Sequence, residues 1–237
     1  MSPHPTINRR FINGFYRASM THLVTIRNTK HEFKVEDDET ILQAALAAGL
    51  VIPYGCRDGA CGSCKGKVLE GQVDYGAYQS SALQDTEKTS GYALFCQAKP
   101  LGNITIECRE ISALKEIQVR TLPCRVQKLQ RLAPDVMMLQ LKLPASERLQ
   151  FLAGQYVDIL TKGGMRRSLS LSNAPHDDAA LEFHLRNYSG PFSKLVFETL
   201  KEKDILRLEG PLGTFFLRED SNKPIVLLAS GTGFAPI

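Results

Sequence analysis

The sequence predicts a mainly β chain of α+β character in two domains. A small domain that mixes strands with a short helix comes first, a six-stranded antiparallel barrel follows, and the first strand of a further α/β domain closes the chain. Three observations carry this expectation. The chain has 237 residues, which is one to two domains at ~150 residues each. Charge is uneven: residues 21–110 hold 9 basic and 12 acidic side chains, and residues 111–237 hold 17 basic and 13 acidic, as two units with different work would. Short β-rich runs then recur through the second half at the spacing of a barrel.

Composition narrows the class. The hydrophobic fraction is 43% and the charged fraction 23%, ordinary globular values that argue against a disordered or collagen-like chain. The longest uncharged run, residues 40–56, contains Gln43, Gly49 and Pro53. It falls short of the ~20 apolar residues that cross a bilayer, so no membrane partner is expected. A net charge of +4 is too small to imply nucleic acid. Residues 1–20 carry Arg9, Arg10, Arg17, Pro3, Pro5 and the pair Asn13-Gly14, with no acid and no signal-peptide core. They are expected to be a flexible extension, and the compartment to be the cytoplasm.

The elements follow in order. Residues 22–29 and 31–35 are β-rich with a polar join and predict a hairpin. Asp38 precedes the Ala/Leu-rich run 40–48, which Gly49 ends, the pattern of a short capped helix. Residues 51–54 lead into a glycine-rich loop; 67–69 and 104–108 predict strands, and 111–118 a linker. Strands are then expected at 119–128, 136–143, 155–160, 168–172, 181–185 and 204–208, with one helix at 192–201. Residues 224–230 form a continuous apolar strand before Gly231-Thr232-Gly233.

Three of the six cysteines crowd into one loop, Cys56-Arg57-Asp58-Gly59-Ala60-Cys61-Gly62-Ser63-Cys64. The spacing C-x4-C-x2-C, with Cys96 further on, is that of a [2Fe–2S] cluster held by four thiolates. Such a cluster is anionic, so the loop around it must turn tightly and aim N–H groups at sulfur, which Gly55, Gly59, Gly62 and Gly66 permit. Structural zinc is the alternative. A zinc ribbon wants two CxxC-like pairs, and only Cys61/Cys64 forms one. Cys108 and Cys124 match no pattern and read as small core residues. At this point residues 22–110 resemble a plant-type [2Fe–2S] ferredoxin domain, in which Cys56, Cys61, Cys64 and Cys96 are the cluster ligands.

The second half resembles the ferredoxin–NADP reductase-like flavoproteins. Arg167-Ser168-Leu169-Ser170 resembles their R-x-Y-S motif. The resemblance implies that Arg167 meets the flavin pyrophosphate, that Leu169 packs by the isoalloxazine and ribityl, and that Ser170 bonds near the flavin N5. Leucine stands here for the family's aromatic, which weakens one stacking contact. Gly154-Gln155-Tyr156 resembles the G-Q-[YF] strand before that motif. Gly190-Pro191-Phe192-Ser193 resembles the G-x-x-S at a helix start, where free N–H groups and the helix dipole favour phosphate. His184 and Leu185 fall where such proteins set backbone against the flavin; for His184 a plain strand position is the open alternative. Gly231, Thr232 and Gly233, with Phe234-Ala235-Pro236, resemble the first loop of the family's NAD(P)-binding domain. The chain stops at Ile237, so it is expected to hold only the start of that domain.

The order of these motifs resembles reductases arranged as ferredoxin, FAD barrel and NAD(P) domain. They include the reductase components of bacterial oxygenases and the CDP-6-deoxy-Δ3,4-glucoseen reductases; Gly210–Leu217 and the Arg-Arg-Ser run favour the second group. The resemblance implies a β-grasp ferredoxin domain at 21–110 after the extension 1–20, a linker at 111–118, an FAD-binding barrel at 119–218 and a truncated NAD(P)-binding segment at 219–237. The implied cofactors are a [2Fe–2S] cluster, FAD and NAD(P)H. The implied partner is an electron-acceptor protein, a dehydrase or oxygenase component. The cofactors carry the chemistry, so no catalytic acid, base or nucleophile is expected. A non-enzymatic electron-transfer module is the alternative.

Overall fold

The computed structural model describes residues 8–12, 15–108, 117–177, 179–217 and 222–237, with backbone alone for 8–12 and 15–19. The expected linker, 111–118, falls largely outside them. Two compact units emerge, Met1–Lys115 and Glu116–Ile237.

Within the N-terminal segment two short strands are described. β1 (Asn8–Ile12) pairs antiparallel with β2 (Phe15–Ser19), Ile12 opposite Phe15. The sequence signal was the Asn-Gly pair between them, a strong hairpin dipeptide.

Alternation then sets the main sheet of the first unit. β3 (Thr21–Ile26) buries Val24 and Ile26, and β4 (Glu32–Glu36) buries Phe33 and Val35 while Glu32 and Lys34 face out. The two form the expected antiparallel hairpin. α1 (Ile41–Ala47) buries Ile41, Leu42, Ala44 and Ala45. Its cap is Thr40 and not Asp38: the Gln43 N–H donates to Thr40 Oγ1 at 3.2 Å and the Thr40 N–H donates to Gln43 Oε1 at 2.9 Å. That reciprocal capping box needs a hydroxyl three residues before the glutamine.

β5 (Lys65–Glu70), β6 (Val73–Asp74), a short α2 (Asp85–Thr89), β7 (Tyr92–Leu94), β8 (Lys99–Pro100) and β9 (Ile104–Glu107) complete the unit. The sheet order is β4-β3-β9-β5-β7, with β3 and β9 parallel. β6, β7, β8 and α2 escaped the sequence reading because two to five residues carry no period.

The second unit is one six-stranded antiparallel sheet, order β13-β12-β15-β10-β11-β14. Its strands are β10 (Arg120–Ala133), β11 (Val136–Lys142), β12 (Tyr156–Leu160), β13 (Arg166–Ser170), β14 (Leu181–Arg186) and β15 (Ile205–Leu212). The edge strands β13 and β14 approach each other, so the sheet curls. Its inner face packs Leu122, Val126, Leu139, Leu141, Val157, Ile159, Phe183 and Leu208; each such buried side chain contributes on the order of 1.5–3 kcal/mol. β10 outruns the expected 119–128 because irregularities at Val126/Lys128 and Arg131/Ala133 let it bend with the sheet. The expected helix is α3 (Pro191–Lys194) continuing into a π turn, Leu195–Thr199.

Residues 224–230 form no strand, against expectation. Ile225, Val226, Leu227 and Leu228 are 63–89% exposed. Apolar, β-branched sequence makes a strand only where a neighbour completes the ladder, and among the described residues none pairs with this run.

Candidate functional site

Cys56, Cys61 and Cys64 lie in the loop between α1 and β5, and Cys96 follows β7. The loop's turns are imposed by its neighbours. Gly59 has φ +77, and a Cβ there would stand 2.7 Å from the Ala77 carbonyl; just past the loop, in β5, a Cβ on Gly66 would stand 2.2 Å from the Phe95 ring. Backbone N–H groups point at sulfur: Cys56 N–H to Cys61 Sγ at 3.4 Å, Cys61 N–H to Cys56 Sγ at 3.3 Å, and Ser63 N–H to Cys61 Sγ at 3.5 Å. Cys64 and Cys96 are both buried and share a thiol–thiol hydrogen bond. That bond, aided by the Gly59 N–H and the Gln97 amide, holds Cys96 down to about 7 against the cost of burial. The same bond and burial push Cys64 up. N–H groups from Cys56 and Ser63 draw Cys61 down although burial opposes them.

The four thiols thus fall into two pairs, Cys56/Cys61 and Cys64/Cys96. Among the described residues, no three or more His, Cys, Asp or Glu side chains converge on a single ion-sized point. Paired thiols fit a two-iron cluster, in which each iron takes two cysteines, better than the single tetrahedral ion of a zinc site. Cys124 belongs instead to the inner face of the second unit, 2% exposed, where burial pushes its thiol up to about 12.

In the second unit a cavity of about 270 Å³ opens between β13, β14 and α3. Arg167, Leu169, Ser170, His184, Leu185 and Ser193 line it, joined by Thr232 and Gly233 from the short turn Gly231–Phe234. Gly190 caps α3 with open space around it, and Gly231 opens the turn; neither lines the cavity. Arg186 and Tyr188 line it too, and the sequence reading missed both.

Strand geometry divides the work of two adjacent arginines. Ser168 lies opposite Asp158 and Leu169 opposite Val157. Arg166 Nε sits 2.7 Å from Asp158 Oδ2 and its Nη2 2.6 Å from Glu209 Oε1, while Ser168 Oγ donates to Asp158 Oδ1 at 2.5 Å. Asp158 is 1% exposed, so these donors answer a buried carboxylate. Arg167, one residue on, pairs through its backbone with Ile159 and sends its side chain to the opposite face, and among the described residues its guanidinium makes no hydrogen bond or ion pair. Leu169 packs on the apolar interior. His184 Nε2 lies 3.2 Å from Glu182 Oε1, and Ser193 Oγ accepts the Tyr188 N–H at 3.4 Å.

The Gly154-Gln155-Tyr156 segment acts as scaffold. Gln155, 2% exposed, donates to the Gly213 carbonyl at 3.1 Å and accepts the Leu152 N–H at 2.8 Å. An unpaired guanidinium, two serine hydroxyls and apolar Leu169 and Leu185 are a fitting lining for a ring joined to a diphosphate. The cavity is at the small end for ligands and suits one part of an extended dinucleotide.

A loop of paired thiols in one unit and a cationic cleft on an antiparallel sheet in the other define an iron–sulfur flavoprotein. Residues 24–101 match the 2Fe-2S iron-sulfur cluster binding domain and residues 123–217 the oxidoreductase FAD-binding domain. The chain thus carries a 2Fe-2S iron-sulfur cluster binding domain followed by an oxidoreductase FAD-binding domain in one polypeptide. It is 41% identical over 206 residues to the CDP-6-deoxy-L-threo-D-glycero-4-hexulose-3-dehydrase reductase of Yersinia pestis, covering 86% of this chain and 61% of that protein. It is 33% identical over 218 residues to reductase component 1 of a terephthalate 1,2-dioxygenase from Comamonas sp., covering 92% and 64%. The crystal structure of an Amycolatopsis cytochrome P450 reductase superposes with a TM-score of 0.71 at 35% identity, covering 91% of this chain and 66% of that one. The chain therefore spans about three-fifths of the length of these curated relatives. No helix among the described residues is long and apolar enough to cross a membrane.

Proposed function

We propose that the chain works in an NAD(P)H-dependent reductase that passes electrons from NAD(P)H through FAD to a [2Fe–2S] cluster and on to an acceptor protein in the cytoplasm. The acceptor is a dehydrase of deoxysugar synthesis or an oxygenase component, the two kinds of system named among the relatives. Cys56, Cys61, Cys64 and Cys96 hold the cluster in the ferredoxin domain, residues 21–110. The sheet of the FAD domain, residues 119–218, closes as a barrel. Arg167 anchors the flavin diphosphate with Ser193 and Gly190 at the start of α3. Leu169, His184 and Leu185 flank the ring, and Ser170 offers its hydroxyl to the ring edge. Gly231, Thr232 and Gly233 begin the nucleotide-binding segment, residues 219–237.

When bound, the flavin accepts two electrons as hydride and releases them singly, which a one-electron cluster can carry. The chain's own residues bind, orient and tune; no side chain has to move a proton. The observation that carries this reading is the pairing of four thiols with N–H groups aimed at them. The test is anaerobic reconstitution with iron and sulfide, FAD titration, then photoreduction of the flavin under argon. Stoichiometric FAD and electrons arriving in a rhombic EPR signal are the expected results. A cluster without FAD binding would leave a simple electron-transfer module. Mixing with NADH and NADPH then reads the nucleotide segment separately.

A further inference from the structure

Gln97 stands outside the cysteine spacing, yet it reaches across the cluster loop. Its Nε2 donates to the Arg57 carbonyl at 3.1 Å, across 40 residues of chain, and lies 3.9 Å from Cys96 Sγ. Arg57 has φ 64, a left-handed conformation that a residue with a side chain adopts only when its surroundings hold it there. Gln97 packs closely on two glycines: its Cγ lies 3.1 Å from where a Cβ on Gly59 would stand, and its backbone carbonyl oxygen 2.7 Å from where a Cβ on Gly76 would stand. A primary amide carries two hydrogens, and this geometry supplies an acceptor for each.

We propose that Gln97 is a positioning residue that ties the Cys56–Cys64 loop to the fourth thiolate and sets the reduction potential of the cluster, through one N–H on the Arg57 carbonyl and one on Cys96 Sγ. This rests on the assignment of a [2Fe–2S] cluster to the four cysteines. Reduction adds one electron and no proton, so negative charge grows on the sulfurs. A donor aimed at sulfur stabilises the reduced form more than the oxidised form, and its removal drives the potential down.

The experiment is a redox titration of the reconstituted full chain, followed by EPR. Wild-type iron and sulfide content and the rhombic signal check the cluster assignment by themselves. Gln97→Met keeps length without a donor. It should hold two irons and two sulfides with a reduction equilibrium about threefold to tenfold less favourable, a fall of about 30–60 mV at 59 mV per tenfold for one electron. Gln97→Glu, which puts an acceptor in the same place, should fall further. A fully loaded Gln97→Met or Gln97→Glu protein with the wild-type potential would overturn the proposal. If neither variant holds a cluster, wild-type protein with 15N in its glutamine side chains decides. A hyperfine coupling to that nitrogen in the reduced state is expected, and its absence overturns the proposal equally.

Discussion

Cys56 and Cys61 exchange donors: the N–H of each points at the sulfur of the other, at 3.4 and 3.3 Å. The backbone is arranged around thiolate charge before any metal is considered. Cys61→Ser should therefore lose the rhombic EPR signal of dithionite-reduced protein, because it removes one iron ligand and the acceptor for the Cys56 N–H. Cys108→Ser should keep two irons and two sulfides per chain. Iron analysis and EPR on the same preparations check both.

Arg166 and Arg167 should separate stability from flavin binding. Arg167→Ala should leave the melting temperature near wild type, since surface changes of this kind stay within about 0.5 kcal/mol. It should weaken FAD by roughly 1.5–3 kcal/mol, the worth of a hydrogen bond to a charged group. Asp158→Ala should do the reverse. It strips Arg166 and Ser168 of their shared acceptor and should cost about 1–3 kcal/mol of stability. Thermal unfolding and fluorescence titration with FAD read the two effects.

Leu169→Tyr should tighten FAD. Leu169 lines the cavity and packs on the apolar interior, so an aromatic there adds ring area beside the ligand. Stacking is worth about 0.5–1.5 kcal/mol beyond area burial, so the dissociation constant should fall by up to about tenfold. An unchanged or weaker affinity by fluorescence titration would show that the pocket is shaped to leucine.

Cys124 should give the second unit an alkaline weakness. Burial raises its thiol from the ordinary 9.0 to about 12. Between those values the unfolded chain loses the proton and the folded one keeps it, so the unfolded state binds fewer protons and stability falls as pH rises. Cys124→Ala should flatten the slope of stability against pH between about pH 9 and pH 12, measured by urea unfolding. At pH 8 the thiol should stay unlabelled by iodoacetamide until the protein unfolds.

Much of this was written in local pattern. The loop with Cys56, Cys61 and Cys64 is legible because ligand spacing within one turn is a local quantity. The six strands of the second unit are legible because Leu139 and Leu141, or Phe183 and Leu185, repeat at a period of two. What depends on distant chain is not. Thr40 outcompetes Asp38 as the cap through a glutamine three residues on, a subtle signal. Residues 224–230 have the composition of a strand but no neighbour among the described residues. Arg186 and Tyr188 join the cavity because three separate elements meet there, and no motif spans them. Gln97 reaches Arg57 only after the chain has folded back.

The β12–β13 connection acquires an unusual sensitivity to length. Its turn is closed by the Thr161 N–H on the Met165 carbonyl at 3.0 Å and the Gly164 N–H on the Thr161 carbonyl at 3.1 Å. Deleting or inserting one residue there would slip β13 by a single position and invert both of its faces. With one residue deleted, Arg167 would arrive where Arg166 belongs, Ser168 would take the cleft position, and Leu169 would stand where Ser168 donates to Asp158. Such a deletion would remove the proposed phosphate anchor and one donor to the Asp158 carboxylate together. Substitutions at 162 and 163 change neither face, so this turn should tolerate changes of residue far better than changes of number.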